Sequence, residues 1–198
     1  MKYGLFFKNT SYHVADENLI RSDFLIGEIA ILDELLWQGK VDPSKFIPAI
    51  SAFLGAKKLS VKKEEIRVAL EYGVEKILYF FDIKNIKFGY FHNFQEEINE
   101  LILEKKNSLL IVYLPLNYFS SSELEIILKI LAKFPCYIMA FIEDKEKITE
   151  KIEYETPKIF KFIEPQRVQF LFKNKSELMK CSQLVEQLCI HDVAYFEG

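Results

Sequence analysis

The sequence predicts an α/β protein: a central βαβ unit in a mostly parallel sheet, with several amphipathic helices in the N-terminal half and a second, small β-α-β-like C-terminal unit. Three observations carry this. Ser108 to Glu143 contains two short apolar runs, Leu109–Leu114 and Cys136–Ile142, on either side of a capped amphipathic segment, which is the pattern of one βαβ unit. Between Asp23 and Lys106, apolar residues recur at helical spacing behind capping residues. From Lys158 onward a strand, a capped helix and a strand follow on the same plan. One compact unit over 1–198 is expected, with a mainly helical part at 23–106, the central unit at 108–143 and a C-terminal β/α extension at 158–198.

Taken in order, Lys2–Lys8 reads as a first strand. Leu25, Ile29, Leu32 and Leu36 predict a helix over Asp23–Trp37, with Gly39 in the position of a C-terminal glycine cap. Asp42 and Pro43 open a shorter helical stretch carrying Phe46, Ile50 and Phe53. Ser60 is placed to cap a long helix reaching Phe81, with Ile66, Leu70, Val74, Ile77 and Phe81 on its core face. Asn85–Tyr90 reads as a strand or extended link. Asn93 with Glu96 then caps a helix whose Phe94, Ile98 and Leu101 point inward.

In the central unit, Leu109–Leu114 is continuously apolar and predicts a strand buried on both faces. Ser120 and Glu123 form a capping box, and Leu124, Ile127, Leu128 and Leu131 share one helix face. Pro135 ends that helix before the second strand. The charged run DKEKITEKIEYE after Glu143 reads as a solvated helix or loop. Lys158–Ile163 and Arg167–Phe172 read as strands, Asn174 with Glu177 caps a helix bearing Leu178, Cys181, Val185 and Leu188, and Cys189–Phe196 reads as a last strand.

Composition narrows the function classes. Half the residues are hydrophobic, with 18 Phe and 10 Tyr, so a packed core is expected almost throughout. Only 7 Gly occur, and neither GxxxxGK[ST] nor GxGxxG is present, which removes the glycine-rich phosphate loops. A net charge of −3 removes a uniformly basic nucleic-acid binder but not a local lysine surface. Cys136, Cys181 and Cys189 have no CxxC spacing and suit buried thiols in a reducing compartment. No signal segment and no apolar run of membrane-spanning length is seen, so a soluble cytoplasmic protein is expected.

Candidate chemistry is sparse. His13, His92 and His191 are scattered and form no zinc signature, and His191 and Asp192, adjacent on a strand, point to opposite faces. Ser120, Ser121 and Ser122 follow a strand but lack the glycines of a nucleophile elbow, so they read as helix caps. Asp82, Glu143 and Asp144 stand where a sheet edge would gather them, and such carboxylates could hold Mg²⁺ or Ca²⁺, against a plain reading as solvated strand ends. The basic stretch AKKLSVKKEE places Lys57, Lys58, Lys62 and Lys63 around a helix start, against the dipole. Phosphate contact is one reason for that placement; neutralisation by Glu64 and Glu65 is the plainer one. Lys105 and Lys106 form the next basic pair.

From Glu75 to Glu143 the segments ILYFFDIKNIKF, INELILEKKNSLLIVYL, NYFSSSELEIIL and MAFIED come one after another. In that order they resemble the small DNA-end-binding adaptation protein of type II-A CRISPR systems. The resemblance covers about a third of the chain. It implies a non-enzymatic homo-oligomer, a tetrameric ring, that binds double-stranded DNA with the support of Ca²⁺ and acts beside the CRISPR integrase and effector nuclease. The lysines above would then be the DNA contacts. Two other classes stay open: a cytoplasmic interaction or scaffold protein, and an enzyme acting on a small acidic or phosphorylated substrate where Asp82, Ser120–Ser122 and Glu143 converge.

Overall fold

Eight strands pair in chain order, all parallel, and the last pairs with the first. A computed structural model describes residues 2–7, 22–52, 55–142, 148–188 and 192–197. The strands are β1 (Lys2–Phe7), β2 (Phe24–Gly27), β3 (Phe46–Ile50), β4 (Lys76–Tyr79), β5 (Leu109–Pro115), β6 (Cys136–Phe141), β7 (Val168–Phe172) and β8 (Asp192–Glu197). They form a closed barrel, sealed by a β1–β8 ladder that runs from Lys2 opposite Asp192 to Phe7 opposite Glu197. The described helices are α1 (Ile29–Trp37), α2 (Leu59–Glu71), α3 (Ile83–Lys87), α4 (Phe91–Glu104), α5 (Ser121–Leu131), α6 (Ile148–Phe160) and α7 (Lys175–Gln187). Strand–helix alternation around a closed parallel sheet is the (β/α)₈ barrel architecture. No described helix is long and apolar enough to cross a membrane.

Two apolar layers hold it. Outward-facing residues of the strands, among them Leu25, Phe46, Ile50, Ile77, Val112, Ile138 and Phe170, pack under the helices against Leu32, Ile66, Ile98, Leu128 and Val185. The alternate residues fill the barrel: Phe24, Ile26, Ile47, Ala49, Leu78, Ile111, Met139, Leu171 and Ala194. At Gly4 of β1 a side chain is excluded, since a Cβ would stand 2.0 Å from the Phe24 ring, which occupies that inward position.

The central unit is as expected. β5 and β6 are parallel neighbours, Leu110 opposite Cys136 through Pro115 opposite Phe141. Ser120 caps α5: its hydroxyl accepts from the Glu123 N–H at 3.3 Å, and the Glu123 carboxylate accepts from the Ser120 N–H at 2.7 Å. Asn174 caps α7 by accepting from the Glu177 N–H, and Gly39 takes the left-handed conformation after α1.

Elsewhere short strands stand where helix was expected. The helix over 23–37 is β2 followed by α1, because Phe24–Gly27 is an apolar run buried on both faces. The stretch after Asp42 is a 3₁₀ turn, Pro43–Lys45, running into β3, whose FIPAI is buried throughout. The long helix from Ser60 stops at Glu71; Gly73, at φ +78°, turns the chain into β4. The part 23–106 thus carries four of the described helices and also supplies three barrel strands. Asn85–Tyr90 is the end of α3 and its turn, not an extended link, and α4 begins at Phe91 behind Tyr90, so Asn93 does not cap it. Lys158–Ile163 is not a strand but the end of α6 and the turn beyond it, with Ile148, Ile152, Thr156 and Ile159 buried at helical spacing. Glu143, Asp144, Cys189, His13 and His191 lie outside the described residues.

Candidate functional site

The C-terminal ends of the strands form one rim of the barrel, where enzymes of this architecture carry their sites. Phe80, just past β4, Tyr113 of β5 and Phe141 at the end of β6 form an aromatic row at this rim. Phe80 stacks on Tyr113 with centroids 4.4 Å apart, and Tyr113 stacks on Phe141 at 5.9 Å. This row closes the top of the apolar barrel interior.

Above it, on the β4–β5 side, lies a cavity of about 290 Å³ lined by Ala56, Asp82, Ile83, Lys84, Tyr113, Pro115 and Tyr118. Each residue is placed by a local feature. Tyr113 and Pro115 are alternate residues of β5 and so share its inward face. Tyr118 follows in the 3₁₀ turn Leu116–Tyr118 that leads β5 towards α5. Asp82 is the N-cap of α3, its carboxylate accepting from the Lys84 N–H at 2.9 Å, which leaves its remaining acceptor positions for other donors. Ala56 belongs to the loop after β3, and that loop is held at three points. Ser51, buried and in the left-handed region at φ 54°, donates its N–H to Glu65 at 2.9 Å and accepts from the Lys57 N–H through its hydroxyl. Lys57 Nζ pairs with the same Glu65 at 2.5 Å. Gly55, at φ +62°, crosses the Phe81 carbonyl so closely that a Cβ would lie 1.9 Å from its oxygen. A non-glycine residue in the left-handed region is costly unless its surroundings enforce it, and here Glu65 does so.

The cavity thus offers an aromatic floor, a carboxylate able to take a proton, phenolic hydroxyls able to donate or accept, and one ammonium group. That set can hold a small molecule with an apolar face and polar edges and can move a proton on it.

The barrel disperses most of the residues singled out from sequence. Asp82 is at the rim, but its partners in the expected carboxylate group, Glu143 and Asp144, lie outside the described residues; among the described residues no cluster of three His, Cys, Asp or Glu is arranged to hold a metal ion. Ser120 spends its hydroxyl on the α5 cap and the Glu123 carboxylate, so the serines do not join Asp82. Glu123 also accepts from Lys87 at 2.9 Å; that bond and the Ser120 N–H hold its pKa down at about 2. His92 is an exposed partner of Glu96. The basic stretch forms no stripe: Lys57 pairs with Glu65, Lys63 with Glu100, and Lys62 is buried against Glu97, while Lys58 is the N-cap position of α2. Lys105 donates to the Ser108 carbonyl, and Lys106 sits in a left-handed turn. Sequence reasoning did not find Tyr113, Tyr118 or Lys84. Its available signal was an aromatic residue at the inward parity of successive strand ends.

No protein-family model matches the chain, and no curated protein matches its sequence. Solved structures do match in fold. An aldolase designated QR15 is 13% identical with a TM-score of 0.70, over 97% of this chain and 88% of its own. The copper homeostasis protein CutC from Streptococcus agalactiae, as that structure is described, is 10% identical with a TM-score of 0.68, over 99% and 98%. The deoxyribose-phosphate aldolase of Aeropyrum pernix is 9% identical with a TM-score of 0.64, over 98% and 84%. At these identities the likeness is one of fold. It overturns the resemblance to the CRISPR adaptation protein, and with it the DNA-binding and antiviral-defence reading, because the fold extends over nearly the whole chain as a closed barrel. The Glu75–Glu143 match rested on apolar patterns that any strand–helix–strand passage provides.

Proposed function

We propose that this protein is an enzyme that moves a proton on a small hydroxylated compound bearing an acidic group, bound at the C-terminal rim of the barrel. The observation that carries the proposal is the cavity in which Asp82, Lys84, Tyr113 and Tyr118 meet above the aromatic row. The apolar face of the compound lies on Tyr113. Lys84 attracts its acidic group, Asp82 takes a proton from a carbon next to a carbonyl, and a tyrosine hydroxyl donates to the oxygen where charge develops. The enzyme reading agrees with neighbours named as aldolases, and the acidic group with those named for deoxyribose phosphate.

The test needs no knowledge of the product. Small sugar phosphates and hydroxy-keto acids are incubated with the protein in D₂O, and loss of the carbon-bound proton is followed by NMR. At least one compound should exchange faster with the protein than without it, and Asp82→Asn should lower that rate by about 100-fold or more. No catalysed exchange across the panel, or exchange untouched by Asp82→Asn and Tyr113→Phe, would reject the proposal.

A further inference from the structure

We infer that Lys87, which does not line the rim cavity, is a positioning residue for it: with Phe119 and Glu123 it clasps together the two loops that carry Asp82 and Tyr118. The inference rests on the rim reading proposed above for the roles of those two residues. The cavity is built from two walls. Asp82, Ile83 and Lys84 stand at the start of α3, whereas Tyr118 stands in the 3₁₀ turn between β5 and α5, with Tyr113 and Pro115 on the strand before it. Along the chain α4 and β5 separate the walls, so their spacing is decided by contacts across the gap.

Such contacts meet at one place. Phe81, the residue before Asp82, and Phe119, the residue after Tyr118, stack with ring centroids 6.0 Å apart. The Lys87 ammonium lies 5.4 Å from the centroid of the Phe119 ring and donates to the Glu123 carboxylate at 2.9 Å. The clasp is anchored on both sides. Phe81 is buried and packs on Phe94 of α4, with centroids 4.8 Å apart. Glu123 Oε2, which takes the Lys87 bond, also accepts from the Ser120 N–H at 2.7 Å and so fixes the first turn of α5, just beyond Tyr118. With its pKa held down at about 2, Glu123 is a carboxylate at neutral pH. One carboxylate oxygen therefore ties the end of α3 to the start of α5.

The clasp acts on geometry more than on stability. The Lys87 side chain is 42% exposed and that of Glu123 22%, and an ion pair so open to water adds little to folding. Its effect is on α3. That helix has five residues and little rigidity of its own, so a tether at its last residue decides where its first turn, with Asp82 and Lys84, stands against Tyr118. In the rim reaction a carboxylate and a tyrosine hydroxyl act on one compound at the same moment, which demands a set separation. A displacement of about 1 Å in such an arrangement costs about 100-fold in rate.

The full-length protein, labelled with 3-fluorotyrosine, would be followed by ¹⁹F NMR, with the Tyr118 and Tyr137 lines assigned from Tyr118→Phe and Tyr137→Phe. Lys87→Met should shift or split the Tyr118 line and leave in place that of Tyr137, near the start of β6 at the opposite end of the barrel. Lys87→Arg keeps a cation on both partners and should restore the parent line. In the D₂O exchange assay, Lys87→Met should lower the rate at saturation about tenfold or more while KM changes less than about threefold. Lys87→Arg should recover that rate, and Ser120→Ala, which weakens the α5 cap but leaves Lys87 on Glu123, should match the parent. A Tyr118 line unmoved by Lys87→Met, equal movement at Tyr137, no recovery with Lys87→Arg, or a substrate rate unchanged by Lys87→Met would overturn the inference. Absence of exchange with every compound would reject the rim reaction and leave the clasp to the Tyr118 line, which needs no substrate.

Discussion

Removing one partner of the Lys62–Glu97 pair should be far more damaging than removing both. The pair joins α2 to α4, and the Lys62 side chain is 1% exposed and that of Glu97 11%. In Glu97→Leu the ammonium stays buried without its carboxylate partner, and an uncompensated buried charge of this kind costs about 3 to 5 kcal/mol. The slight exposure of Glu97 points to the lower end, about 3 kcal/mol, which in a domain of this size is a fall in Tm of about 6 to 12 °C. In Lys62→Met with Glu97→Leu both charges are gone and the volume is kept, so the double variant should lie within about 1 kcal/mol of the parent. The neighbouring Lys63–Glu100 bridge, 2.5 Å long but a third or more exposed on both sides, provides the control, because its removal should cost less than about 1 kcal/mol. Urea unfolding of the variants, with unchanged m-values, gives the comparison. A double variant as unstable as Glu97→Leu would refute the reasoning, since the loss would then come from packing and not from a stranded charge.

Three further outcomes are expected. Gly55→Ala should damage the rim, because the residue sits at φ +62° and its Cβ would lie 1.9 Å from a backbone oxygen; binding at the rim cavity should fall together with stability, and a variant normal in both would count against the loop geometry. Ser120→Ala should cost about 0.5 to 2 kcal/mol in unfolding free energy while leaving rim activity unchanged, and a loss of activity at full stability would point to a catalytic role instead. The Glu123 pKa is depressed in the folded chain from 4.5 to about 2, so its stabilising contribution is present above pH 4.5 and disappears as pH falls towards 2; a Glu123→Gln variant should therefore differ from the parent at neutral pH and converge with it in acid, and a constant difference would contradict the assignment.

The α5 cap and the β5–β6 pair could be read from residues alone because each depends on neighbours in the chain. Ser120 and Glu123 satisfy each other's backbone, and Leu109–Leu114 and Cys136–Ile142 are bounded by Pro115 and Pro135. Asn174 with Glu177 was legible for the same reason. β2 and β4 were not, since four-residue strands buried on both faces have no alternation, and their apolar residues continue the spacing of the adjoining helices. Closure of β8 onto β1 joins the two ends of the chain, and no local pattern encodes a contact of that span. The rim follows from closure. Asp82 stood out as a carboxylate after an apolar run, but Tyr113 and Tyr118 looked like a strand aromatic and a loop aromatic until the barrel brought them over the same cavity. Lys62 shows the opposite error. In the sequence it is one lysine of a basic stretch, and only the packing of α2 on α4 decides that its charge is turned inward, onto Glu97, and not towards solvent. Local hydrogen bonding determines where elements begin and end, whereas the direction a side chain faces is decided by which elements close around it.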